Sequence, residues 1–204
     1  MNKASMRAFV QDLSAMRIYI GISAALFAIG IAMGATGDWL DAYLAGQLEP
    51  LRSMVERLDA MDNAQVWMFL FIFINNFVKS VFVVFLGALF GIFPIYFMVM
   101  NGMILGYVAA TAGESGANVG QVIVLGILPH GVLELTAVVI AASYGLKYGM
   151  LVSVELFRAL RGGGSPAALR AFHGTLRRLV SFLFFALLAA AFIESTITYF
   201  LVRG

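Results

Sequence analysis

The chain has 204 residues, of which 62% are hydrophobic and 12% are charged, and its mean hydropathy is +0.94. Soluble domains carry about 25% charged residues, so the composition excludes a water-soluble globule and predicts an integral membrane protein. A net charge of +2 is too small for a nucleic-acid-binding surface, and the absence of cysteine excludes disulfides, thiolate metal sites and a cysteine nucleophile.

Apolar segments long enough to cross a bilayer, which takes about 20 helical residues, recur along the chain. We predict membrane spans at about residues 18–35, 66–91, 94–112, 119–142 and 179–202. The first segment also fits a signal peptide, and we interpret it as the first membrane helix. The fold class is therefore an all-α polytopic transmembrane bundle of about five spans, formed by residues 1–204 as a single integral membrane domain.

Two of the connecting segments have their own patterns. Residues 39–61 carry leucine and valine at helical spacing and predict an amphipathic helix outside the membrane. This helix either lies on the bilayer and caps the bundle, or it presents a docking face to a partner protein or a second copy. The basic segment 143–178 contains a short helical stretch and then three glycines, which predict a flexible linker.

The distribution of basic residues orients the chain, because loops rich in Lys and Arg stay in the cytoplasm. The N-terminus and residues 143–178 are basic, whereas residues 37–65 are mainly acidic. We therefore expect a prokaryotic cytoplasmic membrane protein whose N-terminus and basic segment are cytoplasmic and whose amphipathic helix is extracytoplasmic.

Several polar residues fall inside the predicted spans, where a charged side chain costs about 2.5–3.5 kcal/mol on insertion scales. These residues are Asn75, Asn76, Lys79, Asn101, His130, Glu134 and Glu194. A spacing of four residues places Asn75 and Lys79 on one helix face, and His130 and Glu134 on another. We hypothesise that Lys79 and Glu134 form an intramembrane ion pair.

The other polar residues complete this hypothesis. We expect Asn75 or Asn76 near His130, with Asn101 joining from the third span, and Glu194 is either a further member or lies near the outer surface. Pro129 interrupts the fourth span and predicts either a simple kink or a broken helix beside an ion or substrate site.

Glycines at a spacing of four let membrane helices approach closely. The candidate helix-packing glycines are Gly30, Gly34, Gly87, Gly91, Gly102, Gly106, Gly131, Gly145 and Gly149. Packing within one chain is favoured over dimerisation, and a homodimer is left open. The polar pair and glycine pair of residues 75–91 also weakly resemble those of residues 130–149, as in a parallel repeat.

The sequence predicts no enzyme, cofactor or metal. His130 and Glu134 have the spacing of two zinc ligands, but a zinc site needs three or four ligands and would have to recruit Glu194. No nucleotide-binding glycine motif and no hydrolase motif is present in the sequence.

The central region resembles the stage II sporulation protein M family over about residues 69–149. The elements that carry the resemblance are Phe73-Ile-Asn75-Asn76-x-x-Lys79, Gly87 to Gly91, Asn101-Gly102-x-x-x-Gly106, Leu128-Pro129-His130-Gly131-x-x-Glu134 and Gly145-Leu146-x-x-Gly149. The resemblance implies a multi-span membrane protein, whose founding relative works with peptidoglycan-remodelling proteins as a scaffold during engulfment of the forespore.

Two functions therefore stay open. The first is a non-enzymatic membrane scaffold in cell-envelope remodelling, which recruits protein partners through the outer helix 39–61. The second is a small transporter or ion or proton pathway that uses Asn75, Lys79, His130 and Glu134.

Overall fold

The computed structural model describes residues 3–36, 41–116, 120, 128–163 and 165–198, and these residues contain no β-strand. Within them the chain forms seven α-helices. Their bounds are α1 Lys3–Ala15, α2 Arg17–Thr36, α3 Asp41–Asp59, α4 Ala64–Leu86, α5 Ile92–Glu114, α6 Leu128–Leu160 and α7 Ala167–Ile193, which continues as a π-helical turn over Glu194–Thr198.

Five helices are long and apolar enough to cross a membrane. They are α2, α4, α5, the Gly131–Leu160 part of α6, and α7 extended to Thr196. The structure thus confirms the predicted all-α bundle of about five membrane helices. The apolar core that joins α4, α6 and α7 is built around Ala141, Tyr144, Leu183 and Leu187.

Two membrane helices have bounds that differ from the prediction. α6 is described from Leu128 and continues without a break to Leu160, past the predicted end at residue 142, so its described part is 33 residues long, or about 50 Å. Residues 117–119 and 121–127 lie outside the described part of the chain. α6 does not end at residue 142 because the following residues remain largely apolar and contain no proline before residue 166.

The basic segment is accordingly helical over most of its length. α7 begins at Ala167 rather than residue 179, so its first three turns carry basic residues. Between α6 and α7, Gly162 adopts a φ of 78°, and the N–H groups of Gly162 and Gly163 donate to the carbonyls of Ala159 and Arg158. The predicted linker therefore begins as a helix-terminating turn, and residue 164 lies outside the described residues.

Pro129 is the second residue of α6 as the structure describes it. A proline in the first turn of a helix removes no hydrogen bond from that helix. Residues 121–127, which would form the other side of the predicted kink, lie outside the described residues, so the kink or broken helix at Pro129 remains a prediction.

Glycines bring the membrane helices together in two parallel pairs. On α4 and α6, a Cβ atom on Gly87 would lie 2.2 Å from the carbonyl oxygen of Gly145, and one on Gly149 would lie 2.2 Å from the nitrogen of Gly91. On α2 and α5, a Cβ atom on Gly30 would lie 2.3 Å from the carbonyl oxygen of Val99. Gly102 and Gly106 make equally close approaches to the backbone of α2.

Residues 75–91 and 130–149, whose similar glycine pairs suggested a repeat, thus pack against each other. Because Gly87 faces Gly145 and Gly91 faces Gly149, α4 and α6 run in the same direction. Gly91 also needs glycine for its own backbone, since it adopts a φ of 76° in the turn between α4 and α5.

Charges separate along the bundle. Nine of the 13 basic residues but only two of the 11 acidic ones belong to α1, the start of α2, the second half of α6, the α6–α7 turn and the first half of α7. We call the end of the bundle formed by these segments the basic end. α3, which is mainly acidic, packs against α4 and α5.

Candidate functional site

The contact between α4 and α6 sets the depth of the intramembrane polar residues. Gly145 lies against Val83 and Gly87, and Gly149 lies against Gly87 and Gly91, so facing residues on the two helices differ by 58–62 in number. By the same offset Glu134 lies level with residues 72–76, and Lys79 lies about 4.5–10.5 Å further along α4. Lys79 and Glu134 thus differ in depth by about one to two helical turns, and their ion pair remains a prediction.

Lys79 and Glu134 interact through space. Glu134 is half-buried and experiences an attractive electrostatic interaction with Lys79, whose side chain is exposed on α4. Among the described residues no direct salt bridge joins the two.

Glu194 approaches the same carboxylate from a third helix. It lies in the π-helical turn that ends α7, and this turn packs against both α4 and α6. Glu194 is half-buried and experiences repulsion from Glu134. Of the two locations predicted for Glu194, the structure places it beside the cluster. π-helical turns are rare and are often found at functional sites.

The asparagines occupy separate environments. Asn75 and Asn76 are half-buried, and the Asn75 amide donates to Oδ1 of Asn76 at 3.5 Å. Asn101 donates to the carbonyl of Phe97 on its own helix at 2.7 Å, and no described contact joins it to Lys79 or Glu134.

The structure does not extend to every predicted site residue. His130 lies in the first turn of α6, but its side chain lies outside the described residues, so its proximity to the asparagines remains a prediction. Gly131 is half-buried one turn before Glu134, and its packing role also remains a prediction. Among the described residues, no three His, Asp or Glu side chains come together in a way that could hold a metal ion.

Helix α3 forms a second candidate site at the acidic side of the bundle. Leu44 is fully buried against Met103 of α5 and anchors the helix. Tyr43, Met54 and Val55 remain exposed, at 45%, 40% and 36% of their accessible surface. The hydroxyl of Tyr43 lies 3.5 Å from that of Tyr96 in α5. Leu44 is therefore a buried anchor of α3, and the helix leaves other apolar residues exposed.

Two polar contacts between helices were not predicted. Ser143 of α6 donates to Ser23 of α2 at 3.1 Å, and both serines are fully buried. At the basic end, Arg178 of α7 donates to the carboxylate of Asp12 in α1 at 2.8 Å. The sequence held one indication of the salt bridge, because Asp12 is the single acid among the basic residues of the N-terminus.

Comparison with known proteins extends the resemblance beyond the central motifs. A family model described as stage II sporulation protein M matches residues 23–199 of the chain. The matched region includes all of α3 to α7 and all but the first turns of α2. No curated protein and no solved structure matches the chain. Since the family model covers most of the 204 residues, this multi-pass membrane protein belongs to the stage II sporulation protein M family.

Proposed function

We propose that the protein is a non-enzymatic scaffold of the prokaryotic cytoplasmic membrane that recruits partner proteins through α3. The observation that carries this proposal is the anchoring of α3 by Leu44 while Tyr43, Met54 and Val55 stay exposed. Family membership supports cell-envelope remodelling as the setting. The basic end is assigned to the cytoplasm by the positive-inside rule, which leaves the N-terminus inside and α3 outside.

Charge favours a protein rather than a lipid surface as the partner of α3. Helices that lie on membranes are rich in Lys and Arg, which are attracted to anionic lipids. α3 has four acidic residues and two basic ones, and Arg52 is held by Glu56 at 3.2 Å. An acidic helix with exposed apolar residues is better suited to a protein surface with basic and apolar groups.

Close backbone packing supports the same function. The glycine contacts between α2 and α5 and between α4 and α6 leave no room for a side chain, so the helices cannot slide past one another without losing those contacts. A bundle held in this way presents α3 in a fixed position relative to the membrane, which is what a scaffold requires.

Site-specific photo-crosslinking in cells tests the proposal. A photoreactive amino acid at Val55 is expected to crosslink to one recurrent protein, and the Met54→Asp substitution is expected to abolish that product. The matched control is Ile74 of α4, which is 54% exposed within a membrane helix and should crosslink only to lipid. Crosslinking to lipid alone at both positions would contradict recruitment through α3.

A second function, an ion or proton pathway, is favoured by a specific observation. Glu134 and Glu194 lie near each other on neighbouring membrane helices, with Lys79 close to the first. Acidic and basic groups of this kind inside a membrane are typical of proton relays and ion pathways.

Flux measurements in proteoliposomes separate the two functions. A pathway through the cluster predicts that the wild-type protein dissipates an ion or proton gradient, that Glu134→Gln abolishes the flux, and that Glu49→Gln on exposed α3 does not. Absence of flux of protons, common ions and small solutes through the wild-type protein would exclude this second function and leave the scaffold unaffected.

A further inference from the structure

A cavity of about 290 Å³ opens at the basic end of the bundle, between α1, α6 and α7. Ten residues line it, and six of them are apolar. The apolar residues are Ala15, Met16, Leu151, Ala168, Ala171 and Phe172. The cavity is therefore mainly apolar. The remaining four residues form a polar part of its wall, and they are Asp12, Tyr144, Lys147 and Thr175.

The polar part of the wall carries an uncompensated positive charge. The carboxylate of Asp12 is occupied by Arg178, whose Nε lies 2.8 Å away. Lys147 is half-buried and has no salt bridge among the described residues. The cavity therefore offers a free ammonium group beside apolar side chains, and an occupant with one anionic group and one apolar part matches both features.

A buried hydroxyl lies in the same wall. Tyr144 is 1% exposed, and within the described part of the chain its hydroxyl has no hydrogen-bond partner. The hydroxyl of Thr175, which also lines the cavity, donates to the carbonyl of Phe172 at 2.7 Å. Buried polar groups are nearly always hydrogen-bonded, so an acceptor oxygen in this cavity would satisfy a donor that the protein leaves unused.

The position of the cavity in the bundle identifies the class of the occupant. It lies where most of the basic residues of the chain are found, and where α1 meets the first residues of the membrane helix α2. Basic pockets between membrane helices on the cytoplasmic side bind the headgroups of anionic lipids. At about 290 Å³ the cavity lies at the lower end of the range of about 300–1,000 Å³ typical of small-molecule pockets, so it is sized for the headgroup region and not for a whole phospholipid.

We propose that this cavity binds the headgroup region of an anionic phospholipid. The phosphate lies against Lys147 and supplies the acceptor for Tyr144, while the glycerol and the first part of the acyl chains contact Met16, Leu151 and Phe172. The rest of each chain stays in the bilayer. This proposal rests on the membrane helices and not on the scaffold function, and it would survive the failure of that function.

The test measures retention of phosphatidylglycerol and of phosphatidylcholine by the full-length protein, using native mass spectrometry of protein released from nanodiscs of mixed composition. We expect the wild-type protein to retain phosphatidylglycerol, and Lys147→Gln to weaken that retention about fivefold, the effect of one basic residue at a membrane surface. Ala171→Leu, which fills part of the cavity without changing charge, should weaken it as well. Added inorganic phosphate should not compete.

The matched control is Arg170→Gln, which removes the same charge from an exposed position of α7 outside the cavity. Retention equal to wild type in Arg170→Gln supports the site, whereas equal losses in Arg170→Gln and Lys147→Gln would overturn it in favour of general surface attraction. Full retention by Ala171→Leu, or displacement of the lipid by inorganic phosphate, would also overturn it. Thermal unfolding in lipid-free detergent checks that each variant is folded.

Discussion

Gly87, which caps the C-terminal end of α4, and Gly145 of α6 meet backbone to backbone: a Cβ atom on Gly87 would lie 2.2 Å from the carbonyl oxygen of Gly145. No side chain, however small, fits at this distance without separating the two helices. The contact fixes both the spacing and the register of α4 and α6, and the register in turn sets the depth of Glu134 relative to Lys79.

The glycine contacts predict a sharp difference between two glycines of α2. Gly30→Ala should lower the free energy of unfolding by about 1–3 kcal/mol, the usual effect of overpacking, because its Cβ would lie 2.3 Å from the carbonyl oxygen of Val99. Gly21→Ala is the control, since a Cβ there meets nothing within 4 Å, and it should be neutral or slightly stabilising. Reversible unfolding in mixed micelles measures both, and equal effects would contradict the packing.

The interaction of Lys79 with Glu134 predicts energetic coupling. Removing either charge alone leaves the other uncompensated in the membrane. The double variant Lys79→Met with Glu134→Leu should therefore lose less free energy of unfolding than the sum of the losses in the two single variants. A coupling free energy of about 0.5–3 kcal/mol is expected from the double-mutant cycle. Lys79→Met combined with Glu49→Gln, on α3, is the control and should be additive. Additivity in the first cycle would rule out the interaction.

The salt bridge between Asp12 and Arg178 should hold α1 against α7. Its side chains are 19% and 28% exposed, and Phe9 packs on Phe182 with ring centroids 4.9 Å apart. Arg178→Gln is expected to increase amide hydrogen exchange in α1 several-fold and leave exchange in α4 unchanged. Arg52→Gln, which removes a far more exposed ion pair, serves as the control and should not change exchange in α1.

Two fully buried serines offer a matched comparison of hydrogen bonding. The hydroxyl oxygen of Ser143 lies 3.1 Å from that of Ser23 and 2.6 Å from the carbonyl oxygen of Val139, whereas the hydroxyl of Ser80 has no hydrogen-bond partner among the described residues. Ser143→Ala should cost about 0.6 kcal/mol, the average for hydrogen bonds between membrane helices. Ser80→Ala should be neutral or stabilising. Unfolding in mixed micelles measures the difference, and a larger loss for Ser80→Ala would be inconsistent with the described contacts.

Because Leu44 anchors α3, we expect its truncation to loosen this helix locally. Leu44→Ala removes a fully buried side chain that contacts Met103 and should cost about 2–5 kcal/mol in the stability of that contact. Gln47→Ala, at an exposed position of the same helix, is the control and should cost less than about 0.5 kcal/mol. Hydrogen exchange along α3 distinguishes the variants, and similar exchange in both would mean that Leu44 is not the anchor.

The apolar segments and the family motifs were sufficient to predict the all-α membrane bundle, because each span must satisfy its backbone hydrogen bonds within a helix. Helix ends were less predictable. The fourth span was predicted to end at residue 142, whereas α6 continues past Lys147 through residues that remain largely apolar. Gly145 and Gly149 in this stretch pack against the end of α4, and this packing offsets their low helix propensity.

The sequence was enough to predict which polar residues belong to the candidate site, but not how they are arranged. Polar residues stand out within apolar spans, and helical spacing placed Lys79 with Asn75 and Glu134 with His130 on shared helix faces. The sequence could not give the difference in depth between Lys79 and Glu134, because that difference depends on which glycines pair. Likewise, the contact between Asp12 and Arg178 joins residues 166 positions apart, and α1 was not expected as a helix.

The pairing of α2 with α5 and of α4 with α6 has a consequence for biosynthesis. Neither pair is adjacent in the chain, so α2 enters the bilayer well before its partner has been synthesised, and α4 waits in the same way for α6. In a chain interrupted after α4, the glycine-lined faces of α2 and α4 are both uncovered. In a chain interrupted after α5, α2 is covered and the face of α4 is still uncovered. Assembly is therefore completed late in translation, and shortened chains are expected to be recognised as incomplete by the surfaces that the finished bundle hides.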